Sequence, residues 1–177
     1  MESVPTRLSG PVLLAPRKFG DARGFFAETF RADALPGVEW VQDNHSRSRR
    51  GTVRGMHFQL APGQAKLVRC ARGAILDVLV DLRAESPTHG EWEGYVLDDD
   101  NLRAIYVPIG FAHGFAVLSD EADVVYKVSS YYDAATEAGF AYDDPDVGIE
   151  WPDGPLLVSE RDRTAPKLAD LAGTLPW

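Results

Sequence analysis

The sequence predicts an all-β protein, built as a sandwich or a barrel. Short runs with the apolar and β-branched character of strands recur along the chain, and helical periodicity is weak. Tight-turn signals such as Pro62-Gly63 and Arg72-Gly73 separate the runs. The chain also contains 16 glycines and 12 prolines, which favour many short elements over long helices.

The elements follow one another without a long gap. The predicted strands are Val12–Ala15, Phe25–Phe30, Val38–Gln42, Val53–Gln59, Lys66–Ala71, Ala74–Leu82, Trp92–Leu97, Ala104–Val107, Phe115–Leu118 and Val124–Ser130. Short helices are predicted at Ala32–Leu35 and Ala165–Ala172. No repeat, low-complexity tract or linker interrupts the series, so residues 1–177 are predicted to form a single domain. The segment from Pro152 onward is expected to be a covering arm.

One predicted strand carries two acids in an apolar run. In AILDVLVDL, residues 74–82, Asp77 and Asp81 are four positions apart and therefore face the same side of a strand. We expect that side to be exposed to solvent. The alternative is that the two carboxylates line a site.

Charge limits the partners of the chain. The formal net charge is −9, which argues against binding to nucleic acid or to an anionic membrane surface. The arginine-rich stretch SRSRRG, residues 46–51, is short and is expected to be a solvated loop. A ligand with phosphate groups would need a local basic cluster that works against the overall negative field.

Cysteine usage and hydropathy indicate the cellular setting. The single cysteine, Cys70, excludes an intramolecular disulfide and a multi-cysteine zinc site, and it is expected to be buried in a strand. No apolar run approaches the roughly 20 residues that span a bilayer. The opening MESVPTRLSG lacks the apolar core of a signal peptide. These features predict a soluble cytoplasmic protein.

The stretch GTVRGMHFQLAPGQAKLVRC, residues 51–70, places several reactive side chains on one predicted hairpin: Arg54, His57, Gln59 and Lys66. Two interpretations compete, a metal-binding barrel that has lost ligands and a metal-free site that moves protons. Phe58 and Gln59 follow His57, so the His-x-His pair of a metal-binding barrel is missing, and three or four ligands are usual for such metals. The pattern favours the metal-free site.

Each side chain of this hairpin suits a step of proton transfer. A neutral histidine with a pKa of about 6.5 is a good general base at physiological pH. Lys66 could stabilise a developing enolate oxygen, and Arg54 could form a two-pronged contact with phosphate. His57 alone could equally be a core histidine, but burial of three basic side chains together would be costly without a ligand or an acid partner.

A second group of candidates lies in YVPIGFAHGFAVLSDEADVVYKVSSYY, residues 106–132. The small neighbours of His113, Ala112 and Gly114, leave room for a ligand beside its imidazole. Tyr126 lies in the apolar run VVYKV. It is either a core aromatic residue or the proton donor that an epimerase needs on the face opposite its base.

The motifs together resemble those of one enzyme family. In this order, DARGFFAETF, VQDNHSRS, VRGMHFQ, KLVRC, DVLVDLR, ESPTHGEW, PIGFAHGF, VVYK, DDPDVGIEWP and SERDRTAP resemble the dTDP-4-dehydrorhamnose 3,5-epimerase family over residues 19–166. The resemblance implies a cupin-type jelly-roll barrel with short peripheral helices. It also implies an enzyme without a metal or other cofactor, usually a homodimer with exchanged strands.

The resemblance assigns four catalytic roles. His57 would remove the proton beside the C4 ketone, and Asp162 would orient it. Lys66 would stabilise the enolate, and Tyr126 would return a proton from the other face. Positions that match substrate-binding residues are Arg23, Phe26, Glu28, Gln42, Asp43, Asn44, Arg54, His113, Tyr132, Glu137 and Arg161. Among them, the arginines would serve the diphosphate, and Phe26 and Tyr132 would stack on the thymine.

The expected activity is epimerisation at C3 and C5 of a dTDP-linked 4-keto-6-deoxyhexose, giving dTDP-4-dehydro-L-rhamnose. A mono-epimerase at C3 or C5 in antibiotic-sugar synthesis is the alternative in the same class, and a non-catalytic nucleotide-sugar binding module is the alternative outside it. The chain departs from the family at Met56, where leucine is frequent, and at Arg161, where lysine is frequent. Neither change removes a catalytic group.

Overall fold

The computed structural model describes residues 1–177 and contains fourteen strands. The strands are β1 (Glu2–Val4), β2 (Val12–Ala15), β3 (Lys18–Asp21), β4 (Gly24–Ala27), β5 (Gln42–Arg49), β6 (Thr52–Gln59), β7 (Lys66–Arg72), β8 (Ala74–Asp81), β9 (Trp92–Asp98), β10 (Ala104–Val107), β11 (Phe111–Val117), β12 (Glu121–Val128), β13 (Glu137–Gly139) and β14 (Leu157–Val158). Helix α1 (Glu160–Arg163) and 3-10 turns at Ala32–Ala34 and Leu168–Leu171 complete the fold. No helix is long and apolar enough to cross a bilayer.

The strands form two six-stranded sheets that face each other. The first has the order β1-β2-β10-β7-β12-β5, and the second has the order β13-β6-β11-β8-β9 with β14 added parallel to β6. The main apolar cluster joins them, since it combines Val68 and Val124 of the first sheet with Ile75, Leu79 and Phe115 of the second. This arrangement confirms the predicted all-β jelly-roll barrel. Strands β3 and β4 form a separate hairpin.

Alternate side chains of strand β8 are buried on opposite faces of the second sheet. On β8, Ile75 and Leu79 point into the barrel, whereas Val78 and Val80 belong to a second apolar cluster on the outer face of the sheet. The C-terminal arm covers this outer cluster, and Trp177 packs against Phe58 with ring centroids 6.0 Å apart. The arm covers the outer face and the first sheet covers the inner face, which explains why every residue of β11, at the centre of the second sheet, is buried.

The structure corrects the predictions for the region before β6. Only Gln42 of the predicted strand Val38–Gln42 is in a strand, and SRSRRG is mostly strand rather than loop. Strand β5 has the polar sequence QDNHSRSR because it is an edge strand that pairs with β12 alone. Its outward side chains reach solvent, as in the ion pair of Arg47 with Asp123 at 2.7 Å.

Other differences concern short elements and strand ends. The second predicted helix is confined to Leu168–Leu171, and strand β4 ends at Ala27 rather than Phe30. The pattern did not reveal β1, β3, β13, β14 or α1, which have two to four residues each and too few positions to show a period. Cys70 is fully buried, as predicted.

The expectation that Asp77 and Asp81 face solvent is wrong. Both side chains have no exposed surface, because they point into the barrel with Ile75 and Leu79. Asp81 accepts hydrogen bonds from Arg83 Nε at 2.8 Å, from Ser86 Oγ at 2.5 Å and from Thr88 Oγ1 at 2.7 Å. It therefore fastens the loop between β8 and β9 to the end of the barrel.

We predict that Asp81→Asn lowers the free energy of unfolding by about 3 kcal/mol at pH 7, because removal of one partner leaves the Arg83 charge without its counter-ion. Burial alone would raise the pKa of Asp81, but the hydrogen bonds from Arg83, Ser86 and Thr88 outweigh it and hold the pKa below its usual value. The carboxylate therefore stabilises the fold above about pH 4, and this contribution is lost as the pH falls further.

Urea unfolding of the wild type and Asp81→Asn between pH 3 and pH 7 measures this contribution. The difference between the two proteins should be largest at pH 7 and should shrink below about pH 4. The exposed Asp120, paired only with Arg50 at 3.1 Å, supplies the matched control Asp120→Asn, which should change stability little. A difference that does not depend on pH would contradict the assigned role of the charge.

Candidate active site

The candidate residues converge on the interior of the barrel from both sheets. His57 on β6 and His113 on β11 lie directly opposite each other on neighbouring strands of the second sheet. Lys66 on β7 and Tyr126 on β12 come from neighbouring strands of the first sheet. Met56, the neighbour of His57, belongs to the outer apolar cluster, so the alternation of β6 directs the imidazole inward.

His57 is supported by a buried carboxylate. Its Nε2 lies 2.6 Å from Oδ1 of Asp162, and Asp162 is only 5% exposed. With Nε2–H donating to this carboxylate, the other ring nitrogen keeps a lone pair that can accept a proton. Burial alone would raise the pKa of Asp162, but hydrogen bonds from His57, Gly55 and Ser159 hold it below its usual value. Asp162 is therefore an anion at neutral pH, suited to stabilise a protonated imidazole.

Helix α1 delivers Asp162 to this position. The hydroxyl of Ser159 caps the helix by accepting a hydrogen bond from the backbone N–H of Asp162 at 3.1 Å. Ser159 was not among the predicted site residues. The signal that could have revealed it is the spacing Ser-x-x-Asp in SERD, which is typical of a helix N-terminus.

A second histidine, His113, also lies within hydrogen-bond distance of a buried carboxylate. Nε2 of His113 lies 2.9 Å from Oδ2 of Asp77, and both side chains are buried. The other oxygen of Asp77 has no hydrogen-bond partner. Sequence reasoning named Asp77 only as a possible site-lining acid, because nothing in a single strand shows which side chain a neighbouring strand presents to it.

Lys66 is placed in the same interior without an ion pair. Burial lowers the pKa of its ammonium group to about 8, and the negative charges of Glu137 and Asp77 oppose this shift. Near neutral pH the side chain is thus mostly protonated but close to its midpoint. A cation in such poor solvation is well suited to stabilise a negative charge that develops on a bound substrate.

Tyr126 supplies a protonated phenol. Burial raises its pKa, with Glu137 adding to the shift and Arg54 opposing it. The ring packs against the main apolar cluster, so the two interpretations of Tyr126, core aromatic and proton donor, are compatible in the structure. At neutral pH the hydroxyl carries a proton that it can donate.

The predicted polar residues of β5 point alternately to the two faces of the first sheet. Asn44 lies opposite Tyr126 in the strand register, and Gln42 donates a hydrogen bond to Asn44 at 2.8 Å. Asp43 lies on the opposite face of the sheet, where it pairs with Lys127 at 2.9 Å. The side chain of Asp43 is therefore separated from those of its neighbours by the sheet itself.

The remaining barrel residues form the rim of the interior. Arg54 donates to Ser48 Oγ at 3.1 Å and has no carboxylate partner, which leaves its charge free for an anionic ligand. Glu137 accepts hydrogen bonds from the Tyr132 hydroxyl at 2.9 Å and from Arg161 at 2.7 Å. The structure thus brings Tyr132, Glu137 and Arg161 into one polar network.

Three predicted residues do not contact this group. Arg23 lies at the turn of the β3–β4 hairpin and pairs with Asp21 at 2.6 Å. Phe26 packs against Phe19 of the same hairpin and is 66% exposed. Glu28, just after the hairpin, lies 3.6 Å from Arg31. Within one subunit, Arg23, Phe26 and Glu28 therefore lie away from His57.

No three histidine, cysteine or carboxylate side chains lie close enough together to form a metal site. His57 and His113 each have one carboxylate partner instead. Both pairs fit the donor pattern of a proton-transfer site, in which a carboxylate orients an imidazole.

A jelly-roll barrel that encloses a carboxylate-supported imidazole, a lysine and a protonated phenol has the groups that a cupin-type isomerase needs for acid–base chemistry. The chain belongs to the dTDP-4-dehydrorhamnose 3,5-epimerase family, whose family model matches residues 5–170.

Known proteins support this membership over almost the whole chain. The dTDP-4-dehydrorhamnose 3,5-epimerase of Shigella flexneri is 44% identical over 176 residues, which cover 96% of this chain and 97% of the relative. The dTDP-4-dehydrorhamnose 3-epimerase of Streptomyces niveus is 45% identical over 180 residues, which cover 97% and 87% respectively. The crystal structure of dTDP-6-deoxy-D-glucose-3,5-epimerase from Legionella pneumophila, in complex with dTDP-4-keto-L-rhamnose, aligns with a TM-score of 0.92. It is 40% identical, and the alignment covers 95% of this chain and 93% of that one.

Proposed function

We propose that the protein epimerises C3 and C5 of dTDP-4-dehydro-6-deoxy-D-glucose and thereby forms dTDP-4-dehydro-L-rhamnose. The observation that carries this proposal is the His57–Asp162 pair, which shares the barrel interior with Lys66 and the Tyr126 phenol. A binding module would not need a base, an acid and a cation for an enolate in one cavity. The family membership agrees with this assignment.

The reaction follows from the acidity of protons beside a ketone. His57 takes the proton from the carbon next to C4, and the electron pair of the broken C–H bond forms a C–C double bond and an oxyanion at C4. Asp162 stabilises the resulting imidazolium, and Lys66 stabilises the oxyanion. Tyr126 then donates its proton to the same carbon from the opposite face, which inverts the centre. Exchange of protons with water resets both side chains, and the second carbon reacts in the same way.

Substrate contacts follow from the rim of the site. Arg54 has no internal counter-ion and is suited to the diphosphate, while Tyr132 is 58% exposed and free to stack on the thymine. His113, Gln42 and Asn44 offer hydrogen bonds to the sugar. Asp43 faces the other side of its sheet and would act through its ion pair with Lys127 rather than through direct contact.

We further infer a homodimer in which the β3–β4 hairpin reaches the site of the partner subunit. The hairpin exposes Phe19, Phe25 and Phe26 by 48%, 54% and 66%, which is unusual for large aromatic side chains in a monomer. Exchange of the hairpin would cover these rings and bring Arg23, Phe26 and Glu28 to a substrate held in the other barrel.

A mono-epimerase is the second candidate, because a relative that is 45% identical is named as a 3-epimerase. The test is incubation with dTDP-4-dehydro-6-deoxy-D-glucose and determination of the product configuration by NMR. Inversion at C3 and C5 is the expected result, also after treatment with EDTA. Inversion at one carbon would establish the mono-epimerase, and the absence of inversion at both would refute the proposal.

The pKa of Lys66 predicts an alkaline limit to activity. The protonated form is the one that stabilises the oxyanion, and its fraction falls as the pH rises through about 8. We therefore expect kcat/KM, which reports the pKa values of the free enzyme, to decline above about pH 8 and to approach a tenfold decrease per pH unit. The decline should be missing in Lys66→Gln, which starts from a low kcat. The control is Lys127→Gln, outside the barrel interior, which should keep the alkaline limb of the wild type.

A further inference from the structure

Asp144 is a buried carboxylate outside the barrel interior. It belongs to the motif DDPDVGIEWP, residues 143–152, and is only 2% exposed. Instead of an ion pair, it has two backbone partners: Oδ1 accepts a hydrogen bond from the N–H of Asp146 at 3.0 Å, and Oδ2 accepts one from the N–H of Leu168 at 2.7 Å. Burial of a charged group is costly, so these two hydrogen bonds are what keeps the carboxylate in place.

The bond to Leu168 joins two parts of the chain that are 24 positions apart. Leu168 begins the 3-10 turn Leu168–Leu171, and the first N–H of such a turn has no partner within it. Asp144 therefore caps the turn from a distant loop. An asparagine could not take over both bonds, because its amide has one acceptor oxygen and not two.

The segment 159–167, which carries Asp162, is fixed at both ends. Before it, strand β14 pairs with β6. At its other end, Pro166 O accepts a hydrogen bond from the N–H of Ala141 at 2.8 Å, and the bond to Asp144 follows two residues later. Between these ends, side chains of the segment have contacts of their own with β6 and β13. Asp144 is thus part of the downstream support of Asp162.

The stretch that ends at Asp144 is also bonded to the strand of the base. Gly139 is the partner of His57 in the strand register. The next residue, Phe140, exchanges two backbone hydrogen bonds with Met56, at 3.1 Å and 3.3 Å. One short stretch of chain therefore holds the backbone of the base at its beginning and the segment of the supporting carboxylate at its end.

We propose that Asp144 is a positioning residue for the reaction, which sets the place of Asp162 against His57 through its bond to Leu168. The Nε2 of His57 and Oδ1 of Asp162 are 2.6 Å apart, and a hydrogen bond weakens steeply when its distance or angle departs from the preferred range. This inference rests on the proposed function, because the pair that Asp144 aligns is the proposed epimerisation base.

Asp144→Asn should act on kcat and not on KM. The variant keeps the shape of the side chain but can accept only one of the two hydrogen bonds. We expect kcat to fall about 10- to 100-fold, since small misplacements of catalytic groups have effects of this size, and KM to change less than about twofold. Asp146→Asn is the matched control, because the same charge is removed two positions away from an exposed side chain. It should keep the kcat of the wild type.

Two variants of Leu168 test the same bond from its donor side. Proline has no N–H, and it suits the first position of a helical turn after an extended residue such as Lys167, whose ψ is 155°. Leu168→Pro and Leu168→Ala both lose the leucine side chain, but only Leu168→Pro loses the donor. The proline variant should lose kcat as Asp144→Asn does, and the alanine variant should keep most of it, both measured below their unfolding temperatures.

A readout that needs no substrate is the NMR resonance of the proton between His57 Nε2 and Asp162. It should lie downfield in the wild type and in Asp146→Asn, and it should weaken or broaden in Asp144→Asn. An unchanged resonance in Asp144→Asn, or equal kcat in the two Leu168 variants, would overturn the proposal.

The remaining outcomes are also decisive. A raised KM with an unchanged kcat in Asp144→Asn would overturn the proposal, and so would failure of both Asp144→Asn and Leu168→Pro to fold, which would assign Asp144 to the fold as a whole. A wild-type protein that shows the resonance and its loss in Asp144→Asn, but catalyses no epimerisation, would instead refute the proposed function.

Discussion

Replacement of His57 with asparagine should reduce proton exchange at both C3 and C5 by about 10²- to 10⁴-fold, the usual contribution of a general base. The asparagine amide matches the position of Nδ1 rather than that of Nε2, so Asp162 loses this partner but keeps the backbone N–H of Gly55. Affinity for dTDP should remain close to that of the wild type, because the groups proposed to hold the diphosphate and thymine, Arg54 and Tyr132, are unchanged.

The measurement is solvent deuterium incorporation by NMR, with calorimetry for dTDP binding. His89→Asn is the matched control, since His89 is exposed in the loop between β8 and β9, and this variant should exchange both protons at the wild-type rate. An active His57→Asn protein would transfer the role of the base to another group. His113 would be the first candidate, because its partner Asp77 gives it the same support.

Tyr126→Phe should separate proton exchange from inversion. Phenylalanine keeps the ring that packs against the main apolar cluster, so the fold should be almost unchanged and only the phenolic proton is lost. His57 can still form the enolate, and deuterium can return to the carbon from the same face with retention of configuration. Inversion should fall by about 10²-fold or more, because the opposite face has lost its proton donor.

The informative quantity is the ratio of deuterium exchange to net epimerisation, measured on the recovered nucleotide sugar. Tyr106→Phe is a suitable control, because Tyr106 packs on the outer face of its sheet in the cluster around Trp40 and Leu67. Inversion at the wild-type rate would reduce Tyr126 to a packing residue. Equal losses of exchange and inversion would show that it acts on substrate binding or on the enolate.

The local sequence pattern was sufficient to predict the longer apolar strands. Alternation predicted β6, β8 and β9 nearly to the residue, and β10 was predicted with its observed bounds. Strand β5 was missed because an edge strand in contact with solvent does not need apolar residues, and its polar sequence is typical of a loop. The position of such a strand is decided by its pairing with β12, which is 70 or more residues away along the chain.

The reactive residues of the candidate site could be predicted from the sequence, but their hydrogen-bond partners could not. The hairpin alone indicated His57, Lys66 and Arg54, whereas Asp162 was named through the family resemblance. Its contact with His57 joins residues 105 positions apart and depends on the fold of the C-terminal arm. The burial of Asp77 and Asp81 was predicted wrongly, because the period of a strand shows which residues share a face but not which face is covered.

The central claim is that proton removal and return beside the ketone invert both carbons. Incubation of the protein with dTDP-4-dehydro-6-deoxy-D-glucose in heavy water tests this claim most directly. We predict that the product has the inverted configuration and carries deuterium from solvent at C3 and C5. The sites of incorporation are read by NMR in a single time course. Inversion without deuterium at the inverted carbons, or no deuterium at C3 and C5 over many expected turnovers, would contradict the account.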